Sequence, residues 1–578
     1  MKRKYLLLPI FVMLICLTAC KQPNMEHTGP LNTNSGTSSS KVQTCKKSHS
    51  FTDESHLCTL CGADYYAETL AFTLSDTKDY YIVSGIGTCT RSVIVIPETY
   101  KGKPVAAIAE NAFLGVKTKE TRETYERCRE ITQIVLPDTI TKIGECAFSD
   151  CVALESINIP HGVTELPKEI FANCVALKSV QLPEGLCGIG EHAFTVCKAL
   201  ESISLPATLI YIGKGAFSNC EALNELIIPE SVIEIGANAF ARCKMLTYLQ
   251  LPKDLKVLPN NMIGYCTSLE SIRIPAEVTS IPDGFAMECT ALKTVEFQGA
   301  ITTVGQHAFM NCSSLTDLQL PNTVNSIEWD AFTGCRALYR VYEGMAYVGN
   351  DENPYMVLIG KADVTKDNVI IHNDTKVIAA YAFHKNRVAS LFFGEKLEFI
   401  GTSAFFMVEG VKTVGVAEGN TRYHASGNCI IETETKTLIR GGENPIIPDD
   451  GSVTVIANQA FGYLTETKVI VVPDSITRIG SNAFMYCENL EAVVIGSGLT
   501  SIGGDILIHS DKCSMVFYHG TKAQLQESGV FAETGGFIGG NSDLLAATWY
   551  FYSETPPAEE GNYWRYVDGI PTPWEEEA

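Results

Sequence analysis

Hydrophobic and polar residues along this chain repeat on a grid of 23. In the segment CVALESINIPHGVTELPKEIFANC the apolar positions are Leu154, Ile157, Ile159, Val163, Leu166 and Phe171. The following periods, CVALKSVQLPEGLCGIGEHAFTVC, CKALESISLPATLIYIGKGAFSNC and CEALNELIIPESVIEIGANAFARC, fill the same positions with the same residue types. Ten cysteines share that spacing, at Cys128, Cys151, Cys174, Cys197, Cys220, Cys243, Cys266, Cys289, Cys312 and Cys335. One period cannot bury its own leucines, isoleucines and phenylalanine, whereas stacked neighbours bury them together, so the pattern predicts a solenoid.

Within a period, Leu154, Ile157 and Ile159 alternate with Ser156 and Asn158, which is the two-residue period of a strand with one buried face. The proline that follows, at 137, 160, 183, 206, 229, 252, 275 and 321, lacks a ladder donor and ends the strand. Val163 and Leu166 lead into a tight corner. The position after Leu166 alternates between glycine (144, 190, 213, 236, 305) and proline (167, 259, 282). Proline holds φ near −65°, so a glycine there need not mean a positive φ. At about 4.8 Å per coil, ten coils ending near Tyr342 predict a rod ~50 Å long with one continuous parallel sheet.

Alternation also lists the outward side chains: Ser156 and Asn158, Ser179 and Gln181, Ser202 and Ser204, Glu225 and Ile227, Tyr248 and Gln250, Ser271 and Arg273, Thr294 and Glu296, Asp317 and Gln319. The first three coils are bland. The middle coils gather Ile227, Tyr248, Gln250 and Arg273, followed by Glu296 and Gln319, and tyrosine and arginine are enriched in binding hot spots. This row is the candidate ligand-binding face. The alternative is an incidental polar face whose true contacts are loops.

The repeat LxxIxIPxxVxxIGxxAFxxC resembles the BspA-type leucine-rich repeat of bacterial surface proteins, over most of residues 108–505. The resemblance implies a leucine-rich-repeat solenoid on the cell surface, in a family with members implicated in adhesion to host proteins and in aggregation between bacteria. In leucine-rich repeats generally, the cysteine position holds a small buried Asn or Cys. Equivalent Cα atoms in neighbouring coils lie inside the disulfide window, but parallel Cβ vectors and ten equivalent choices give no unique pairing. Buried free thiols are the favoured reading.

The ends of the chain carry different signals. A basic MKRK, an apolar run from Tyr5 to Leu17, and Leu17-Thr18-Ala19-Cys20 read as an export signal, with an apolar core of ~13 residues that is too short to span a bilayer. The LTAC sequence resembles a lipobox, which implies cleavage before Cys20 and lipid on its thiol, the only membrane anchor expected. An ordinary signal peptide is the plainer alternative. Residues 20–44 read as a flexible tether. Cys45, His49, Cys58 and Cys61 then form a set with a CxxC half-site suited to a structural zinc knuckle. Oxidation of Cys58 with Cys61, or idle thiols, is the competing reading. Four protein ligands would leave no open position for catalysis, and no cofactor is required beyond this structural zinc.

Residues 67–107 read as an amino-terminal cap and 108–345 as a first repeat array, with a charged excursion of a helical turn or two before Cys128. An insertion at 346–376 separates this from a second array at 377–510, which holds another insertion at 407–452. Both insertions read as β-hairpins projecting from the coils. Residues 511–578 form a carboxy-terminal cap, where Trp549, Tyr550, Phe551, Tyr552, Tyr563, Trp564, Tyr566 and Trp574 seal the last coil. A sealing hairpin around Pro556-Pro557 and Gly561-Asn562 is expected, with sugar stacking as the alternative role.

A chain of 578 residues with 46% apolar content is ordinary for an extended folded protein. Its formal charge of −22, about −25 without the leader that holds Lys2, Arg3 and Lys4, argues against nucleic acid and anionic membrane as partners. No G-x-S-x-G, H-E-x-x-H or Walker loop is present. His192 and His307 share one register and read as solvent-facing corners, and Asp449-Asp450 and Glu575-Glu576-Glu577 as solvated charge. The expected function is a lipid-anchored, non-catalytic surface protein that binds an extracellular protein or glycan. The alternatives are an envelope scaffold holding another bacterial component, and an enzyme with unrecognised chemistry in the insertions or tail.

Overall fold

The structure, a computed structural model, describes residues 51–52, 55–58, 69–114, 122–528, 530, 541–558 and 560–574. Cys20, Cys45, His49 and Cys61 lie outside the described residues. Of Cys58 only the backbone is described, at the end of the strand Ser55–Cys58 that pairs antiparallel with Phe51–Thr52. The chain divides into two compact units: Met1–Asn322 with Ala331–Leu338, and Thr323–Asp330 with Tyr339–Ala578.

The first unit is a β-solenoid of about 23 residues per coil, with two parallel ladders. The outward-alternating strands form one: Val93–Val95, Gln133–Val135, Ser156–Asn158 and Ser179–Gln181 pair in order, with Ile157 opposite Val180 and Ile134. Glu225–Ile227 pairs with Tyr248–Gln250, and Ser271–Ile274 with Thr294–Phe297 and Asp317–Leu318. The sheet thus forms in hydrogen-bonded segments of four, two and three strands. At the first junction the amides of Glu201 and Asn224 still reach the preceding coil, at 3.2 and 3.3 Å. A second ladder of two-residue strands, including Glu165–Leu166, Gly188–Ile189, Tyr211–Ile212 and Glu234–Ile235, forms along the corner that follows each proline.

The corner glycines are explained by proximity. Gly213 has no positive φ, but a Cβ on it would lie 2.6 Å from the Glu191 amide nitrogen. Coil backbones approach too closely there for a side chain. The left-handed positions lie elsewhere, one residue before Ala-Phe and one before the cysteine, as at His192 (φ 55°) and Val196 (φ 61°), or Asn238 and Arg242. His192 and His307 are partly buried corner residues of this kind.

Inside, Phe113, Phe148, Phe171, Phe194, Phe217 and Phe240 stack with centroids 5.2–5.9 Å apart. The stack lapses at Ile263. Phe285-Ala286 then inverts the usual Ala-Phe order, and Phe285 meets Phe309 edge-on at 77°. The expected helical excursion is present as helix α1 (Arg122–Arg129), which places Cys128 in the core.

The second unit continues the same grammar with hairpins set into it. Arg340–Tyr342, Met345–Val348 and Val357–Lys361 are antiparallel, and the last of these pairs parallel with Val377–Ile378. Tyr423–Ser426, Cys429–Glu432 and Thr437–Gly441 repeat this arrangement, ending beside Val455–Ile456. Both insertions are hairpins, as expected, but their final strands join the coil ladder. The reason is visible in the turns: Glu343-Gly344 and Gly427-Asn428 are both left-handed pairs, which match the twist of tight hairpins and return the chain to the sheet at once.

Candidate binding face

All six residues expected on the candidate face point outward from the first unit. Ile227 lies opposite Gln250 and Glu225 opposite Tyr248, while Leu226 and Leu249 beneath them are buried. The Tyr248 hydroxyl donates to Gln250 Oε1 at 3.1 Å. In the next sheet segment Arg273 lies opposite Glu296, and its Nε donates to the Glu296 carboxylate at 3.0 Å. Gln319 donates from Nε2 to Asp317 Oδ1 at 3.1 Å. The row therefore carries three small polar pairs on the sheet, with Ile227 exposed beside the first of them. An exposed ion pair such as Arg273–Glu296 is worth under about 1 kcal/mol, so a ligand carboxylate can replace Glu296 at little cost.

The thiol ladder is structural. Sγ of Cys174, Cys197, Cys220, Cys243 and Cys266 each donates to the carbonyl of the phenylalanine 26 residues earlier, at 3.2 Å. These thiols are buried and free, and burial pushes their pKa values well up, to about 12 at Cys289. A protonated, inaccessible thiol is neither a nucleophile nor a metal ligand. Among the described residues no group of three His, Cys, Asp or Glu side chains is placed to hold a metal ion.

The most buried charges serve the backbone. Arg440, at the end of a hairpin strand, donates to the carbonyls of Val408, Gln459 and Gly462, and burial lowers its pKa to about 10. The Glu443 carboxylate accepts from the amides of Thr465, Glu466 and Thr467 and from the Thr467 hydroxyl. Both knit an inserted hairpin to the next coil.

One feature escaped the sequence reading. In the second unit the outward positions turn apolar: Ile370 and Phe392 pair across the strands Asn368–Ile370 and Ser390–Phe393, and Val469 and Val471 stand on Val469–Val472. All four are exposed. The signal was available, because TKVIVVP and EAVVIG carry apolar residues in both alternating sets where a one-sided strand carries them in one.

At the carboxy terminus, Tyr563–Val567 pairs parallel with Thr548–Tyr552, and the hairpin forms one strand later than expected, between Tyr563–Val567 and Ile570–Pro573. Asp568-Gly569, both left-handed, supplies its turn. Pro556-Pro557 has no amide donors for a ladder and cannot close one. The tail acts as a cap: Trp564 is fully buried, and its Nε1 donates to the Tyr518 carbonyl at 3.0 Å.

Comparison with known proteins bears on this architecture. The profile of the BspA type leucine rich repeat region matches residues 118–246, 212–339, 364–429 and 443–534. No curated protein matches. Among solved structures, a leucine-rich repeat protein from Bacteroides ovatus is 23% identical, with 85% of this chain and all of that one covered and a TM-score of 0.37. The T. pallidum leucine-rich repeat protein is 24% identical over 44% of this chain and 91% of its own, with a TM-score of 0.27. The pneumococcal vaccine antigen PcpA is 18% identical over 84% and 92%, with a TM-score of 0.21. With the repeat profile matching more than half of its length, and with the coil, corner and thiol geometry that each repeat builds, this chain belongs to the BspA-type leucine-rich repeat family.

Proposed function

We propose that this protein is displayed on a bacterial surface through a lipid on Cys20 and binds an extracellular protein or glycan without performing chemistry on it. The observation that carries the reading is the row Ile227, Tyr248, Gln250 and Arg273, continued by Glu296 and Gln319. A strand-supported face holds apolar, aromatic and cationic groups in fixed register and in contact with solvent. Such a face suits many weak contacts, with avidity supplied by clustering on the cell. Among the described residues no helix is long and apolar enough to cross a membrane. In this reading Cys45, His49, Cys58 and Cys61 hold a structural zinc at the foot of the tether.

The test is a binding screen of the mature protein on an array of matrix proteins and glycans, alongside Tyr248→Ala/Arg273→Ala. Saturable binding lost in the double variant supports the face. Binding retained by the variant moves the site away from it. Absence of any binding favours an envelope scaffold, which co-purification with a neighbouring envelope component would identify.

A further inference from the structure

We propose that the outward sheet face of the second unit is a docking strip for an extended segment of another protein that carries aromatic side chains, taken in the way the chain already takes its own Trp564. The claim stands apart from the ligand of the first unit, because it rests on different residues in a different compact unit.

A solvated sheet face is ordinarily polar, and the first unit largely follows this, with Asn158, Gln181, Gln250, Arg273 and Glu296 at the second outward position and Ile227 as the exception. In the second unit the same position is filled by Ile370, Phe392 and Gly415 along one sheet. Val471, Val494, Phe517 and Tyr550 fill it along the other. The change occurs in both of these sheets, so it does not rest on one residue.

Part of this face is already covered. Trp564 lies over Ala492, Val494 and Phe517, with its ring 5.4 Å from Phe517 and 5.3 Å from Tyr552. Under it Val494 is 1% exposed, whereas its register neighbour Val471 is 39% exposed. Phe392 and Ile370, further along the unit, are 42% and 48% exposed. The chemistry of the sheet does not change between Val494 and Val471. What ends there is the reach of the carboxy-terminal strands.

The covered part shows what the open part accepts. Stacked valines and isoleucines a strand spacing apart make a flat apolar shelf, which suits an aromatic ring laid across it. Beside this row Ser390 donates to Asn368 Oδ1 at 2.9 Å, so those two polar groups are already engaged with each other and the apolar row is the open contact surface. Gly415 extends the shelf: a Cβ there would collide with the Phe392 ring, which lies 2.5 Å from the position that atom would take. Phe392 thus lies over a bare backbone step and remains exposed there.

The probe is a fluorescently labelled peptide with this chain's own residues 561–574, GNYWRYVDGIPTPW, titrated into the mature full-length protein and followed by anisotropy. Phe392→Ser/Val471→Ser is the test variant. Both side chains are solvent-facing, and its thermal melt is compared with wild type to confirm folding. The expected result is saturable binding, weakened at least tenfold in this variant and unchanged in Tyr248→Ala. No saturable binding to the wild type overturns the proposal, as does binding that the variant retains. Self-association of the wild type in sedimentation, relieved by the variant, overturns it in favour of a second copy as the occupant.

Discussion

Ser510 donates its hydroxyl to the Phe484 carbonyl at 2.7 Å, in the place where Cys487, one coil earlier, donates its thiol to the Phe461 carbonyl at 3.1 Å. The ladder position therefore requires a small donor for a buried carbonyl, and sulfur itself is dispensable. Cys243→Ser is expected to cost about 1 kcal/mol or less, while Cys243→Ala leaves the Phe217 carbonyl without its donor and costs about 1–3 kcal/mol. Urea midpoints of the two variants check this, and equal losses would refute the donor role.

Cys146 is a contrasting thiol, because it is only partly buried. Burial, with the Glu169 carboxylate beside it, raises its pKa to about 11, and its Sγ lies 3.6 Å from Glu169 Oε2. The thiolate is the reacting form. Alkylation of Cys146 should therefore accelerate with pH up to about 11, and Glu169→Gln should shift that rise to lower pH. Mass-spectrometric rates for the Cys146 peptide from pH 8 to 11 decide the matter, since an unshifted profile in the variant would remove Glu169 as a cause.

Two glycines separate crowding from backbone conformation. Gly213→Ala drives a Cβ into the neighbouring coil and is expected to cost about 1–3 kcal/mol or more, as overpacking does. Gly102 has φ +75° and open space around it, so Gly102→Ala meets conformational strain alone, about 1 kcal/mol. Thermal melts should rank Gly213→Ala below Gly102→Ala.

Asp474 ties the last coils to the cap. Burial works to raise its pKa, but the Ser497 amide at 2.6 Å, the Ser497 hydroxyl at 3.0 Å and His519 at 2.9 Å outweigh it and hold the carboxyl below its ordinary range. A carboxyl with a depressed folded pKa contributes stability above its unfolded value of about 4, and that contribution disappears as pH falls through the folded pKa. Asp474→Asn should thus be less stable than wild type at pH 7, with the gap closing towards pH 3. Three of the four tryptophans, Trp549, Trp564 and Trp574, lie in this region, so urea midpoints read by tryptophan emission report the gap directly. A gap independent of pH would contradict the assignment.

The coil was legible because its causes are local and repeated: alternation marks Ile157 and Ile159 as buried, and proline marks the strand end. The left-handed corners were not, since Val196, Arg242 and Tyr265 are residue types that give no hint of a positive φ. They adopt it because the coil on each side dictates the turn. The role of the cysteines was half legible: composition and spacing suggested burial, while the acceptor 26 residues back emerges only from stacking. Of the candidate face, the six first-unit residues stand outward as read from alternation, but the ion pair that occupies Arg273 depends on Glu296 in the next coil. The apolar face of the second unit was overlooked because runs such as VIVV read equally as strands buried on both sides.

The 26-residue reach of the ladder thiols from Cys174 to Cys335, one coil plus three residues, has a consequence for how such a chain changes over generations. If a block of 23 residues were excised from the array, the following cysteine would find the phenylalanine carbonyl of the coil before the cut in the position its former acceptor held, and duplicating a block would be equally silent. Length in this molecule is consequently set by counting coils, and recombination within the gene can lengthen or shorten the array in whole steps without redesigning its interior.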